Sequence, residues 1–290
     1  MKKILIIGGR GQLGQCLQAE LMPDANLNVI FLSSAEADVS SLDSLRKTVD
    51  FHKPDVLINC AAYTAVDRAE DEPEQAFLLN EQGPANLADI CKEQDAFLIH
   101  ISTDFVFRGD VTVPLAETVH TDPLSIYGKS KQKGEEVLLS QIPNQCLIIR
   151  TSWLYSEFGH NFLKTMLRLS SEKTSVGVVW DQVGTPTYAR DLAIFIWTCI
   201  EQNTPATGIL HFSNEGVASW YDFAAAIFDF SGIPIELLPL KTEDYPAKAI
   251  RPRYSVLDKT KAKQVLDIRI DHWAQALKRC LARIDSANSK

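Results

Sequence analysis

Tyr127 and Lys131 stand four residues apart in the stretch LSIYGKSKQKGEEVLLSQ, residues 124–141. On a helix, residues i and i+4 share a face, so a phenol and an amine would point the same way. A tyrosine serves as a general acid only when its pKa falls from about 10 towards neutrality. A neighbouring ammonium stabilises the phenolate and has that effect. Upstream, HISTDFVF brings Ser102, Thr103 and Asp104 to the end of an apolar run. The Thr103 hydroxyl is placed to hydrogen-bond the oxygen that Tyr127 would protonate. Each feature alone also suits a surface helix or a strand end with a cap. The rest of the chain must supply a cofactor and a fold that brings these residues together.

The first turn supplies the cofactor. KILIIGG is a short β-branched run ending in glycine, and Gly8-Gly-Arg-Gly11-Gln-Leu-Gly14 follows it. Glycines between a strand and a helix permit a tight turn and let backbone N–H groups approach a pyrophosphate at the positive end of the helix dipole. A dinucleotide site selective for NAD usually ends its second strand in Asp or Glu, which holds the ribose 2′-hydroxyl. Here that strand ends IFLSS, so Ser33 and Ser34 stand in its place, and Arg10 lies inside the turn. Hydroxyls and a guanidinium favour a 2′-phosphate; Arg10 is equally readable as a solvated side chain. The expected cofactor is NADPH, with NADH tolerated. Asp38-Val39 sits under the adenine in this reading, or Asp38 caps the next helix. The candidate cofactor contacts in this half are Gly8, Arg10, Gly11, Gln12, Leu13, Gly14, Ser33, Asp38 and Val39.

Strands and helices alternate for about 150 residues of the 290, the pattern of a parallel sheet with helices on both faces. The runs KILIIGG, NVIFLSS, DVLINCAA, AFLIHIS and CLIIRTSW read as five strands. PEQAFLLNEQGPANLADICKEQ reads as one long helix, bent or broken at Gly83-Pro84. The fold expected is α/β, a Rossmann-type doubly wound parallel sheet with a smaller, interleaved C-terminal substrate-binding region. Residues 1–150 form the dinucleotide-binding domain, 151–290 are mainly substrate-binding, and roughly 176–203 return to the first domain.

Composition excludes other classes. The net charge of −8 argues against a nucleic-acid partner. No apolar run approaches the roughly 20 residues that span a bilayer. The apolar stretch after Lys2 and Lys3 ends within a few residues, too short for a signal peptide. Six scattered cysteines without a C-x-x-C pair read as buried hydrophobes in a reducing compartment, so a cytoplasmic location is expected.

The chain resembles the extended short-chain dehydrogenase/reductase family in GGRGQLG, PDVLINCAAYTAVDRAEDEPE, HISTDFVFRG, YGKSK, IIRTSWLY, NFLKTMLRL, DQVGTPT and RPRYSVLD. TAVDRAE and RTSWLY are similar to the branch that reduces the C4 ketone of dTDP-4-dehydro-L-rhamnose, giving dTDP-L-rhamnose for cell-surface polysaccharide such as lipopolysaccharide. The resemblance implies hydride delivery from NAD(P)H to that ketone, with Tyr127 protonating the alkoxide. Lys131 would tune Tyr127 and hold the nicotinamide ribose, and Thr103 would fix the ketone oxygen. It implies that Ala61, Ala62 and Tyr63 line the cofactor's path. Thr64, Val66, Thr103 and Asp104 would contact the sugar. Trp153 would stack near the sugar or fill a seam between domains. Arg251 would serve the diphosphate, close the pocket or form a surface ion pair. A homodimer is compatible with the resemblance. Some relatives bridge a dimer through magnesium; the matching positions here are Cys16 and Arg190, poor magnesium ligands, so no metal is expected. Two alternatives stay open: reduction of another dTDP-4-keto sugar, and the role of the family's non-catalytic branch, a regulatory subunit of methionine adenosyltransferase.

Overall fold

The computed structural model of the chain describes residues 1–22, 24–202 and 206–288. The first half alternates as expected: β1 (Lys2–Ile7), α1 (Gln12–Ala19), β2 (Leu27–Leu32), α2 (Leu42–His52), β3 (Val56–Asn59), α3 (Val66–Ala69), α4 (Pro73–Phe77), α5 (Gly83–Gln94), β4 (Phe97–Thr103), α6 (Ile126–Gln141) and β5 (Cys146–Thr151). The chain continues through β6 (Leu154–Tyr155), α7 (Phe162–Glu172), β7 (Ser175–Val179), β8 (Val183–Gly184), β9 (Thr187–Tyr188), α8 (Ala189–Glu201), β10 (Gly208–His211), β11 (Ala218–Ser219), α9 (Trp220–Phe230), β12 (Glu236–Leu240), α10 (Thr260–Leu266) and α11 (Trp273–Asn288).

Six strands form one sheet in the order β10-β5-β4-β3-β1-β2, every pair parallel. Both faces are buried, which is why these strands read as unbroken apolar runs. Ile4 and Ile6 of β1 face one core with α1, α8 and α10, whereas Leu5 and Ile7 face a second core with α2, α5 and α6. Successive strands run to opposite sides of β1, so the topological switch lies between β1 and β3. In open α/β sheets ligands bind there, outside the carboxyl ends of the strands.

The sixth strand, β10, escapes the sequence reading; it is only Gly208–His211 and comes from the second half. Residues 176–203 divide between the two halves. β7 pairs with β12 in a separate two-stranded sheet, whereas α8 packs on α1 and the main sheet. Residue 203, the far bound of that stretch, lies outside the described residues, as do 289 and 290. The second half has its own core, in which Tyr155, Tyr188, Phe223, Ile227, Trp273 and Leu277 meet.

The long helix before β4 neither breaks nor stays regular. Leu78–Gln82 form a π-turn between α4 and α5. Pro84 has no N–H, and its ring would crowd the carbonyl four residues back; a widened turn relieves both. The freed carbonyl of Asn80 points at Gly134 of α6, where a Cβ would lie 2.1 Å from it. The Asn80 side chain accepts from Tyr63 N (2.9 Å) and donates to Tyr63 O and Ser130 Oγ (both 3.0 Å). The bulge thereby fixes the loop after β3 to α6, the helix that carries Tyr127 and Lys131.

Candidate active site

The glycine turn follows β1 beside the switch point. Gly8 has φ +78°, and a Cβ on it would lie 2.8 Å from Ala61 N. A Cβ on Gly14 would lie 2.6 Å from the Gly8 carbonyl. The turn is thus packed tightly between β3 and α1, and the Gly11 N–H to Gly8 O bond (2.9 Å) closes it. This cradle, at the start of an eight-residue helix, fits a dinucleotide pyrophosphate. Leu13 is buried in the core, so only its backbone is offered to a ligand. The Gln12 side chain reaches into the second half, donating to Leu154 O (3.2 Å) and accepting from Asn161 (2.7 Å).

Past β2, Ser33 donates through N and Oγ to Glu36 Oε2 (2.8 and 2.6 Å). These bonds, helped by Arg10, hold the Glu36 carboxyl below its ordinary range. Sequence reasoning missed this acid because it lies four residues beyond the end of β2. Asp38 accepts from Ser40 N and Oγ (2.9 and 2.7 Å). The cap of α2 is Ser41 rather than Asp38. Val39 is buried under Asn86, which donates to its carbonyl (2.9 Å).

Ala61 and Ala62 continue β3 at the same edge. A cavity of about 580 Å³ opens beside them, lined by Ala62, Tyr63, Thr64, Arg68, Glu72 and Leu79 among others. Tyr63 donates to Glu72 (2.8 Å) and shares an apolar cluster with Leu79 and Tyr127. Thr64 is exposed and Val66 half-buried at the start of α3.

The catalytic candidates converge from β4 and α6. Ser125 caps α6 by accepting from Gly128 N (3.1 Å), and Phe105 meets the Tyr127 ring edge-on at 5.5 Å. Thr103 lies close enough to Tyr127 to oppose part of the burial that raises its phenol. Thr103 Oγ1 accepts from Phe105 N (3.2 Å) and donates to Asp104 Oδ1 (3.1 Å). Its proton therefore faces Asp104 rather than a substrate oxygen. Asp104 lies buried behind Thr103, and its Oδ2 takes no hydrogen bond. Burial lifts this carboxyl to about 6, which Ser255 and Thr103 offset only in part.

The expected fall in the Tyr127 pKa does not occur in this arrangement. Burial pushes the phenol up to about 12; Thr103 works against this and the Asp104 charge adds to it. The Lys131 amine does not help, because it is turned to β4. Its Nζ donates to Ile101 O (2.7 Å) and lies 3.2 Å from His100 Nε2. Burial lowers Lys131 to about 8, against the opposing pull of Glu135 and Cys60. Glu135, one helical turn on, is paired with Arg150 of β5, both buried, and accepts from Ser102. His100 and Arg150 lie within HISTDFVFRG and IIRTSWLY, but nothing in those stretches marks their partners; two buried charges 15 residues apart become a pair only once α6 lies on the sheet.

The second half contributes rings. Trp153 follows β5 with φ +47°, an outlier for a bulky residue. Its indole stacks on Trp220 at 3.5 Å and 5°, and a Cβ on Gly184 would lie 2.6 Å from it. Arg251 forms a two-pronged pair with Asp67 (3.0 and 2.6 Å). Lys248 N and Ala249 N donate to the same carboxylate (3.1 and 3.0 Å), so this loop is tied across to α3. Arg190 lies between Glu20 and Glu157, and Cys16 beside it is a buried thiol raised to about 12. Among the described residues, no group of three His, Cys, Asp or Glu could hold a metal ion.

The sequence profile of the RmlD substrate binding domain matches residues 1–286. A dTDP-4-dehydrorhamnose reductase of Aggregatibacter actinomycetemcomitans is 42% identical over 288 residues, covering 96% of this chain and 98% of its own. The spore coat polysaccharide biosynthesis protein SpsK of Bacillus subtilis is 41% identical, covering 99% of each. Among solved structures, dTDP-4-dehydrorhamnose reductase from Bacillus anthracis in complex with NADP superposes with a TM-score of 0.93 at 37% identity, over 98% of this chain and 100% of that one.

Proposed function

The chain belongs to the RmlD substrate binding domain family, and from that premise we propose that it is an NAD(P)H-dependent reductase that converts dTDP-4-dehydro-L-rhamnose to dTDP-L-rhamnose. One observation carries the reading: Thr103 and Tyr127 meet at the carboxyl edge of the sheet, beside a glycine cradle at the switch point. Residues 1–150, with α8 packed beneath, would hold the dinucleotide, and 151–290 would mainly hold the sugar nucleotide. The NADP complex of the Bacillus anthracis relative supports the phosphate-bearing cofactor, as do Arg10 and Ser33; Glu36 works against it.

When bound, the reduced nicotinamide supplies a hydride to the ketone carbon. The backbone of the Gly8–Gly14 turn binds the pyrophosphate. Thr103 fixes the phenol of Tyr127, and Tyr127 gives its proton to the developing alkoxide. The high phenol pKa keeps that proton in place until charge builds on the substrate oxygen. Lys131, once charged, stabilises the phenolate left behind. Thr64, Val66 and Trp153 border the sugar, Arg251 positions the loop over it, and Asp104 acts from behind Thr103.

Six unpaired cysteines support a cytoplasmic setting, and the name of the Bacillus subtilis relative supports a role in polysaccharide synthesis. The test is to supply purified protein with several dTDP-4-keto sugars and NADPH or NADH and to identify the product. Tyr127→Phe should bind the dinucleotide as before and lose on the order of 10² or more in kcat. Normal turnover in that variant removes Tyr127 from the chemistry. Dinucleotide binding without turnover of any keto sugar replaces the reductase reading with the regulatory-subunit one. Sedimentation of the active protein decides whether the working unit is a homodimer.

A further inference from the structure

Behind Lys131 lies a chain of polar groups that no step above uses. Ala61 N–H donates to Asn59 Oδ1 (3.0 Å). A backbone amide can only donate, so this bond fixes the Asn59 amide the right way round. Asn59 Nδ2 then faces His100 Nδ1 at 3.0 Å and must donate to it. With Nδ1 accepting, the neutral imidazole carries its proton on Nε2. That N–H points at Lys131 Nζ, 3.2 Å away. Asn59, His100 and Lys131 are all buried, so no other partner relieves the contact. An ammonium has no lone pair to accept this proton; a neutral amine has one, and keeps its own hydrogens for the Ile101 carbonyl.

We propose that Asn59 and His100 are positioning residues that couple the charge of Lys131 to its placement: the neutral amine rests on β4, and the ammonium must leave the ring, which frees it to turn to Tyr127. Uptake of one solvent proton per site accompanies the change, and the only bonds given up are the hydrogen bonds to His100 and to the Ile101 carbonyl. The groups facing the amine are Glu135 on its own helix, His100 and the Ile101 carbonyl on β4, and Cys60 past β3. Glu135 is already neutralised by Arg150, and burial keeps the Cys60 thiol protonated, so neither supplies a free charge for Lys131. Burial, together with the Lys131 charge, keeps His100 far below its ordinary pKa, in line with a neutral ring. The role in turnover rests on the reductase reading; the protonation states do not.

The test is an NMR titration of the full chain, labelled in histidine and lysine and without any ligand, the Lys131 signal being assigned by its loss in Lys131→Met. His100 should show the Nε2–H tautomer throughout, and Lys131 should titrate near 8. Asn59→Asp keeps an acceptor for Ala61 N–H but presents a second one to Nδ1. It should move the ring proton to Nδ1, leave Nε2 accepting, and raise the Lys131 pKa by about one unit or more, a tenfold gain in proton affinity. His100→Gln, whose amide oxygen can accept from an ammonium, should move Lys131 in the same direction and serves if the aspartate variant does not fold. An Nδ1–H tautomer in the wild type, or a Lys131 that titrates as an ordinary lysine, overturns the proposal. So does an unchanged Lys131 pKa in a folded Asn59→Asp or His100→Gln protein. Absence of turnover with every sugar would sink the reductase reading and leave these titrations standing.

Discussion

The two halves of the molecule bury different things. The sheet half places ionisable groups inside: Asn59–His100–Lys131 in one line, Ser102–Glu135–Arg150 in another, and Asp104 alone behind Thr103. The second half places rings inside: Trp153 on Trp220, Phe162 tilted against Trp220, and Tyr155 beside Tyr188 and Phe223. A parallel sheet with helices on both faces satisfies its backbone internally, so it is rigid enough to hold charges in fixed pairs away from water. Two-stranded sheets are too small for that, and the second half relies on broad apolar contacts instead. This division fits the roles proposed above, proton chemistry for the first half and recognition of the sugar's shape for the second.

Four substitutions test that division, in falling order of effect. Arg150→Leu would strand the buried Glu135 carboxylate and should cost about 3–5 kcal/mol of folding free energy, read from chemical unfolding. A loss below about 1 kcal/mol would mean that the sheet half does not depend on its buried pair.

Asp104→Asn probes the lone carboxyl. Its folded pKa of about 6 lies above the ordinary value. The folded protein therefore binds this proton more tightly than the unfolded chain, and the resulting stability is lost as pH rises through about 6. The Asn variant lacks that loss. It should exceed the wild type by on the order of 2 kcal/mol near neutrality, with the advantage fading towards about pH 4. Parallel unfolding curves at the two pH values check it; a variant weaker than wild type at neutral pH refutes the assignment.

Trp220→Leu removes the ring that backs Trp153. It should raise the sugar-nucleotide KM about tenfold, equivalent to about 1.4 kcal/mol, while the dinucleotide Kd stays unchanged. An equal effect on both ligands would blur the division of labour. Glu36→Gln removes the carboxylate beside Ser33 and Arg10. It should shift the NADPH-over-NADH preference in kcat/KM upwards by a few fold, on the order of one ordinary hydrogen bond; an unchanged ratio would place Glu36 away from the ribose.

The same contrast explains what the sequence made legible. Five strands of the main sheet could be read because each is a short apolar run, four of them largely buried and β2 half-buried at the edge. The glycine turn and the Thr103, Tyr127 and Lys131 set could be read because their order and spacing are local. β10 could not, since Gly208–His211 is only four residues long and becomes a strand by lying against β5. The pairing of β7 with β12 spans some 60 residues, and no local pattern announces it. The i, i+4 spacing puts Lys131 on the helix of Tyr127, yet the direction of its amine depends on His100 and Asn59, which lie on neighbouring strands. The role of Glu36 was likewise hidden, and for Arg251 an ion pair was one of the open readings while its partner, Asp67, is set only by folding.

The π-turn at Leu78–Gln82 bears on how this chain tolerates insertion and deletion. A widened turn holds one residue more than an α-turn, so removing any one of the five would let the segment relax into a regular helix. The flanking helices would keep their relative rotation, since the widened turn spreads one extra residue over a single revolution, and what is lost is local: the Asn80 carbonyl that faces Gly134. A one-residue change in length is therefore most easily absorbed within these five residues, and comparative alignments that place a gap there keep α4 and α5 in register on both sides.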